Sequence, residues 1–474
     1  MSSFRTKRGA MQLGYPILLG LSILFGGSSL IDSTSRAWLS FASAALIFVA
    51  LPFAIRKKWT YPARAAAGLF LMWLAWSFFQ LIPLPSGVWQ TFGERAVVEQ
   101  GLRLLGMDET RAMPISLSAH STWLSVIGTL PAVAAFITIV TLGRRTAIAT
   151  IDWAIPLLGA ASAVLGLAQV LLSDNHNLYF YEITNRGLPV GVFANVNHQA
   201  CFLLMCLPFV AVLINNLRRN WAASDNDYAK AFVIAAVAGL ILVGILAAGS
   251  VAGYAMLALV LVCSTLLARK PKTSERKPET FPAIVIGTTL TAVVLVTCSP
   301  ILNGLGVTSV EISEMTRLGI WQVSGEIAND HWLAGTGPGS FSNVYRLYED
   351  PDTVTTTFAN HAHNDYLEAV IEFGLPGTLV VVAGVILMLI LITQSWTGRK
   401  LQNKQIKRAA SIALLVALLH SFVDYPVRTP AIASLVATCF AILVLSSDDR
   451  TKRRKNIKER ADFASSEDDR RLVI

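Results

Sequence analysis

Apolar residues recur along this chain in runs of about 20, separated by short polar stretches. Coiled as a helix, each run is long enough to cross roughly 30 Å of hydrocarbon. The pattern predicts about twelve such helices, near 14–31, 37–55, 62–82, 121–142, 150–172, 197–215, 230–249, 251–268, 281–299, 374–394, 409–425 and 428–446. The expected fold class is therefore an all-α polytopic membrane protein. Three longer polar segments interrupt it on one side: 83–120, 173–196 and, before the tenth helix, 300–373.

The distribution of Lys and Arg orients these helices. With the N-terminus placed in the cytoplasm, 31 of the 39 Lys and Arg residues fall on the cytoplasmic side, as the excess of basic residues in cytoplasmic loops requires. Residues 1–13 then form a cytoplasmic N-terminus and 14–299 carry helices one to nine. Residues 300–373 form a large extracytoplasmic loop, 374–446 carry helices ten to twelve, and 447–474 form a disordered cytoplasmic tail. The first apolar run lacks a small-residue cleavage site and reads as an anchor. The eight remaining cations, Arg36, Arg95, Arg103, Arg111, Arg186, Arg317, Arg346 and Arg428, are all arginine. Selection against Lys in translocated loops is one explanation; a planar, permanently charged fork for phosphate is the other.

Composition narrows the class further. At 54% hydrophobic and 15% charged residues, the chain lacks the polar surface of a soluble protein of this length. The net charge of +9 comes largely from cytoplasmic segments, where it faces anionic membrane lipids, so no nucleic-acid partner is expected. Five cysteines lie in apolar runs without close pairing, as small core residues. A transporter or lipid flippase is the alternative class to weigh against an enzyme. It would place ionisable groups at mid-membrane and often shows internal repeats; here Gln80, Gln169 and His420 are the clear interior polar candidates and no repeat is visible.

The candidate chemistry sits in the polar segments. In 83–120 one helix is expected around 94–106, with Arg95, Glu99 and Arg103 four apart as a salt-bridged surface ladder. In 300–373, Gly335-Thr-Gly337-Pro-Gly339 fits a tight turn better than a nucleotide cradle. His361 and His363 are two apart, which suits a loop and not one helical face, so no metal site is expected. Asn364 or Asp365 suits a helix N-cap, with Glu368 and Glu372 sharing one face beyond it. A cap does not account for His363 and two carboxylates at the mouth of a membrane span, where ionisable groups are costly unless used.

His363-Asn364, nine residues, then Gly374-x-x-Gly377-Thr378 resembles the signature of the O-antigen ligase and polysaccharide polymerase superfamily. Arg317-Leu-Gly-Ile-Trp321, the Gly335 to Phe341 turn and Gly191-Val-Phe193-Ala-Asn195-Val-Asn197-His198, with Arg186 upstream, are similar to its other elements. The resemblance implies a glycosyltransferase of the bacterial inner membrane that needs no metal or other cofactor. It would move a glycan from undecaprenyl diphosphate to an acceptor sugar hydroxyl on the extracytoplasmic face. It implies His363 as catalytic base and Arg317 and Arg186 on the diphosphate. Asn364, Asp365 and Glu368 would orient His363 or bind sugar, Trp321 would offer a flat face for a pyranose, and Asn197 and His198 complete the substrate set. A polymerase of exopolysaccharide or O-antigen units is favoured by Asn197-His198 and by the late His420-Ser-Phe-Val-Asp424-Tyr-Pro426 segment. A ligase acting on a lipid core is the alternative, and a chain-length regulator and a flippase are the expected companions. One departure stands out. Where the family often carries Ser-Arg, this chain reads Gly249-Ser250-Val251, so Arg186 is expected to supply the charge that Val251 lacks.

Overall fold

The computed structural model describes residues 2–108, 110–172, 178–268, 308–354, 358–397 and 403–445. Helices occupy eleven of the twelve predicted apolar runs; the run at 281–299 and the tail at 447–474 lie outside the described residues. In chain order the helices are α1 (Ser2–Phe25), α2 (Thr34–Arg56), α3 (Tyr61–Phe79), α4 (Ala96–Leu104), α5 (Ala119–Ile127), α6 (Leu130–Leu142), α7 (Arg144–Leu171) and α8 (Val196–Arg219). They continue with α9 (Asp225–Ala247), α10 (Val251–Ala268), α11 (Thr308–His331), α12 (Phe341–Tyr348), α13 (Asp365–Thr397), α14 (Lys404–His420) and α15 (Pro430–Val444). Among the described residues there is no strand, only an isolated bridge between Leu84 and Met113. Of the described helical stretches, seven are long and apolar enough to cross a membrane, and three shorter apolar helices accompany them.

Local chemistry starts and breaks these helices. Ser224 and Asp227 form a capping box that opens α9, and Thr60 with Pro62 opens α3. The run predicted at 121–142 divides at Gly128-Thr129, because Pro131 suits the first turn of a new helix. The expected ladder in α4 differs more. Arg95 is buried, with Nε and Nη2 donating to the carbonyls of Phe92 and Ile115, so its fork completes backbone groups instead of pairing with Glu99.

The bundle is built around α8. Its apolar window is 83% buried against 11–44% for the other six candidate spans, so α8 is the core and the others present a face outward. It packs against α7, α9, α10 and α14, while α6 packs between α2 and α15. Bulky side chains such as Phe202 and Phe209 fill the interior, with all four described cysteines buried among them. Tyr15 in α1 buries its hydroxyl against Thr438 of α15 at 2.8 Å.

The segment predicted as one long outer loop is largely helical. α11 and α12 pack on each other and on α13 around Ile327, Phe341 and Ile371. The tenth membrane helix, expected from 374, begins already at Asp365, and the predicted boundary coincides with a break: Gly374 has φ 58° and ψ −166°. A Cβ there would come within 2.5 Å of the backbone of Ala334 and Gly335. Glycine is what permits both the left-handed φ and this approach. The amide of Gln80 at the end of α3 clamps the same junction, donating to the carbonyls of Ala334 and Glu372 at 2.8 and 2.9 Å.

Candidate functional site

Three chain segments meet at one end of the bundle: the entry to α8, the approach to α13, and the turn between α14 and α15. Asn195 caps α8 by accepting from the amide of Asn197 at 2.8 Å, which directs His198 inward. Asn364 caps α13 in the same way, accepting from Tyr366 and Leu367 at 3.0 Å each. The two helix starts thus bring His198 and His363 to the same place, and the third segment delivers Asp424 between them.

Asp424 Oδ1 lies 3.4 Å from His363 Nδ1 and 3.6 Å from His198 Nε2, and accepts from the amide of Tyr425 at 2.9 Å. The imidazole distances are contact distances, a little long for fully formed hydrogen bonds. Burial pushes the Asp424 carboxyl upward, yet the two imidazoles overcome it and hold the group well below the usual carboxylate range. The carboxylate is therefore ionised at neutral pH. The Tyr425 ring stands among three imidazoles, with centroids 4.3 Å from His361 and 4.8 Å from His198 and His363. Burial, with the Asp424 charge behind it, pushes its phenol up, so it stays neutral.

His363 differs from its neighbours in exposure: its side chain is 22% accessible, against 1% for Asp424. With Nδ1 turned to Asp424, Nε2 is the nitrogen left for a reacting group. Its backbone is left-handed at φ 50°, a conformation uncommon for residues with a Cβ and found at functional positions where neighbours over-determine it. That over-determination is visible here. His361 Nδ1 meets Glu368 Oε1 at 2.8 Å, the Ala362 amide donates to Glu368 Oε2 at 2.9 Å, and Trp321 Nε1 donates to the Ala362 carbonyl at 2.9 Å.

A second network supports the first. Arg428 reaches Glu372 through Nη1, with Glu368 at 3.4 Å from the same nitrogen and Asp365 at 3.4 Å from Nε. Burial opposes its charge, and the three carboxylates more than offset that, holding the guanidinium above its ordinary value. The remaining carboxylate oxygens are also satisfied: Ser421 donates to Asp365 at 2.7 Å and the Gly339 amide to Glu372 at 2.7 Å. Gly335, Gly337 and Gly339 all have positive φ, so the run forms a tight turn around the C-terminal end of the first segment of α13.

Several predicted site residues therefore hold the scaffold. Glu368 grips His361, Asp365 is taken up by Arg428 and Ser421, Asn364 is a cap, and Trp321 donates to the loop backbone. The carboxylate facing His363 is Asp424. Arg317 is half-buried, and its charge bears on His420 beside Asp424. Arg186 is exposed on the loop that leads to Asn195, and Asn197 is half-buried at the start of α8. Val251 opens α10, where Ser250 accepts from the amide of Gly253 at 3.1 Å. His331 lies apart from the other two histidines of its segment, against the Tyr348 hydroxyl at 3.1 Å. Among the described residues, no three His, Cys, Asp or Glu side chains gather as metal ligands. Asp424, Tyr425 and Arg428 are the residues that site prediction passed over. Their signal was an Asp at the edge of an expected span and one of only eight outer arginines.

Apolar helices long enough to span a bilayer, with a buried polar centre at one end of their bundle, define a polytopic membrane protein. Residues 188–382 match the O-antigen ligase family model. Across them the chain carries a domain of that family. The match takes in His198, Arg317, His363 and Glu368 and stops before Asp424 and Arg428. No curated protein matches the chain.

Proposed function

We propose that this end of the bundle is the active site of a bacterial inner-membrane glycosyltransferase, with both termini cytoplasmic and the site on the extracytoplasmic face. The donor is a glycan linked to undecaprenyl diphosphate, and the acceptor is a sugar hydroxyl. The observation that carries the reading is the partly accessible His363 imidazole backed by the buried, ionised Asp424. His363 Nε2 takes the acceptor proton as the oxygen attacks the anomeric carbon. The bond from that carbon to the diphosphate oxygen breaks, and the lipid diphosphate leaves with the electron pair. Asp424 stabilises the imidazolium, as a carboxylate behind a catalytic histidine does. Arg428 is occupied by three carboxylates, so the half-buried Arg317 and exposed Arg186 are the cations assigned to the departing diphosphate. Arginine thereby supplies the charge, and the reaction runs without a metal ion.

A polymerase of exopolysaccharide or O-antigen units is the first reading, working beside a chain-length regulator and a flippase. A ligase that delivers the glycan to a lipid core is the second, and the description of the matched family supports it. Purified protein in vesicles, given lipid-linked donor and excess chelator, should release polyprenyl diphosphate only when an acceptor is present. Growth of the donor glycan itself marks a polymerase, and transfer only to added lipid core marks a ligase. Release that needs neither acceptor, or full dependence on one divalent ion, would overturn the mechanism.

A further inference from the structure

The loop from Gly26 to the start of α2 lies within the same end of the bundle. The Gly26 carbonyl accepts from Ala431 and that of Gly27 from Ala194, so it is stitched to both α15 and the entry of α8. Ser29 Oγ accepts from Asn360 at 3.4 Å, and Asn360 Oδ1 accepts from the Tyr425 hydroxyl at 3.5 Å. This chain of polar groups leads from the histidine cluster to Arg36.

Arg36 is in an unfavourable position for a cation. It occupies the first turn of α2, where the helix dipole already presents positive charge. The like charge of Arg428 also bears on it. Its Nη1 donates to the Ser29 carbonyl at 3.3 Å, while its Nε is buried with no partner. Among the described residues no carboxylate pairs with it. For a half-buried guanidinium held against these forces, an anion supplies what its surroundings lack. Room for the group is made at the junction of α5 and α6: a Cβ on Gly128 would lie 2.3 Å from Arg36 Nη2 and 2.5 Å from Nε.

We propose that Arg36 binds a phosphate group at the edge of this site. Its guanidinium, with one nitrogen lacking a partner, stands in the first turn of α2 and supplies the charge for that anion. The identity of the phosphate as the donor's rests on the function proposed above; the binding itself does not.

The test uses the full chain in discs of phosphatidylcholine, with labelled farnesyl diphosphate as probe and farnesol as its uncharged control. Arg36→Gln should weaken farnesyl diphosphate binding by at least about tenfold, the effect of one charge-assisted hydrogen bond, and leave farnesol unchanged. Arg36→Lys should fall between, keeping charge without the fork. Gly128→Ala keeps the arginine but displaces its tip, and should lose affinity in the same direction. It guards against misreading a poorly folded Arg36 variant. If Arg36→Gln instead abolishes only a preference for phosphatidylglycerol discs, the phosphate belongs to a lipid headgroup and the proposal stands with that source. Unchanged diphosphate and phosphatidylglycerol binding in both Arg36→Gln and Gly128→Ala overturns it. A protein that binds the diphosphate through Arg36 yet transfers no glycan would overturn the enzyme assignment and leave this site intact.

Discussion

Both ends of the bundle hold inward-turned cations, and they use them differently. At the end away from the histidines, Lys57 donates to the carbonyls of Val140 and Thr141 at the close of α6, and Lys407 to those of Leu443 and Leu445 at the close of α15. Arg408 does the same for Ser395 and Trp396 at the close of α13, and its guanidinium also covers the Trp396 ring. Each cation completes a helix C-terminus, where both the orphan carbonyls and the dipole favour positive charge. At the other end Arg428 faces three carboxylates, and Asp424 faces two imidazoles. Cations that finish backbone are structural; a carboxylate and an accessible imidazole held by an independent network can exchange protons. The contrast separates stability from chemistry within one bundle.

The largest effect expected from this contrast is on turnover. His363→Ala should lower glycan transfer by roughly 10²–10⁴-fold in protein that is folded and inserted. Asp424→Asn should follow it closely, because the amide cannot stabilise an imidazolium. Lys407→Met should leave turnover per folded molecule near the starting value. Normal turnover in His363→Gln would move the base elsewhere and dissolve the distinction.

Stability should show the next effect. Arg428→Met leaves three buried carboxylates without their cation and should cost roughly 3–5 kcal/mol, read as a lowered thermal midpoint in detergent. Lys407→Met exposes two carbonyls and should cost roughly 1–2 kcal/mol. Adding Glu372→Gln to Arg428→Met should recover part of the loss, since the coupled pair is then neutralised together. Equal costs at the two ends would show that Arg428 is one more backbone cap.

Acid should produce a smaller effect than the loss of Arg428, at the site end. Burial, helped by the nearby Arg95 charge, lowers the His331 pKa from 6.5 to about 4. The unfolded chain therefore binds this proton first as pH falls. The stabilisation is complete above pH 6.5 and is lost progressively down to about pH 4, a matter of roughly 1–3 kcal/mol. Asp330 and Tyr348 share its surroundings. Limited proteolysis within α11 and α12 should accelerate over this range, and His331→Phe should flatten the dependence. Equal acid sensitivity in His331→Phe would assign the titration to another group.

The helices were legible because lipid demands long apolar runs, and that demand leaves a mark at every position. His363 was legible because an imidazole beside a span has no packing explanation. Asp424 and Arg428 were harder to read, since their partners lie about 60 residues earlier in the chain and only folding brings α13 beside the last turn. The contacts of Glu368 were hidden for a related reason: one oxygen is held by a backbone amide, which every residue type but proline possesses. Helices α11 and α12 were concealed by polarity, because a helix packed on other protein needs no apolar run.

Gly335 and Gly374 press backbone on backbone, and Gln80 closes over the same point. This contact divides the histidine end of the bundle by its tolerance to change in length. Residues 335–341 and 360–374 run between fixed anchors, so a single insertion there would shift the histidine loop out of register. Residues 349–354 and 358 lie between α12 and that loop, exposed at nearly every described position. Variation can accumulate in this stretch while the reacting groups stay in place. A lineage of such proteins could therefore change its surface chemistry by editing a short exposed segment, leaving the buried network inherited intact.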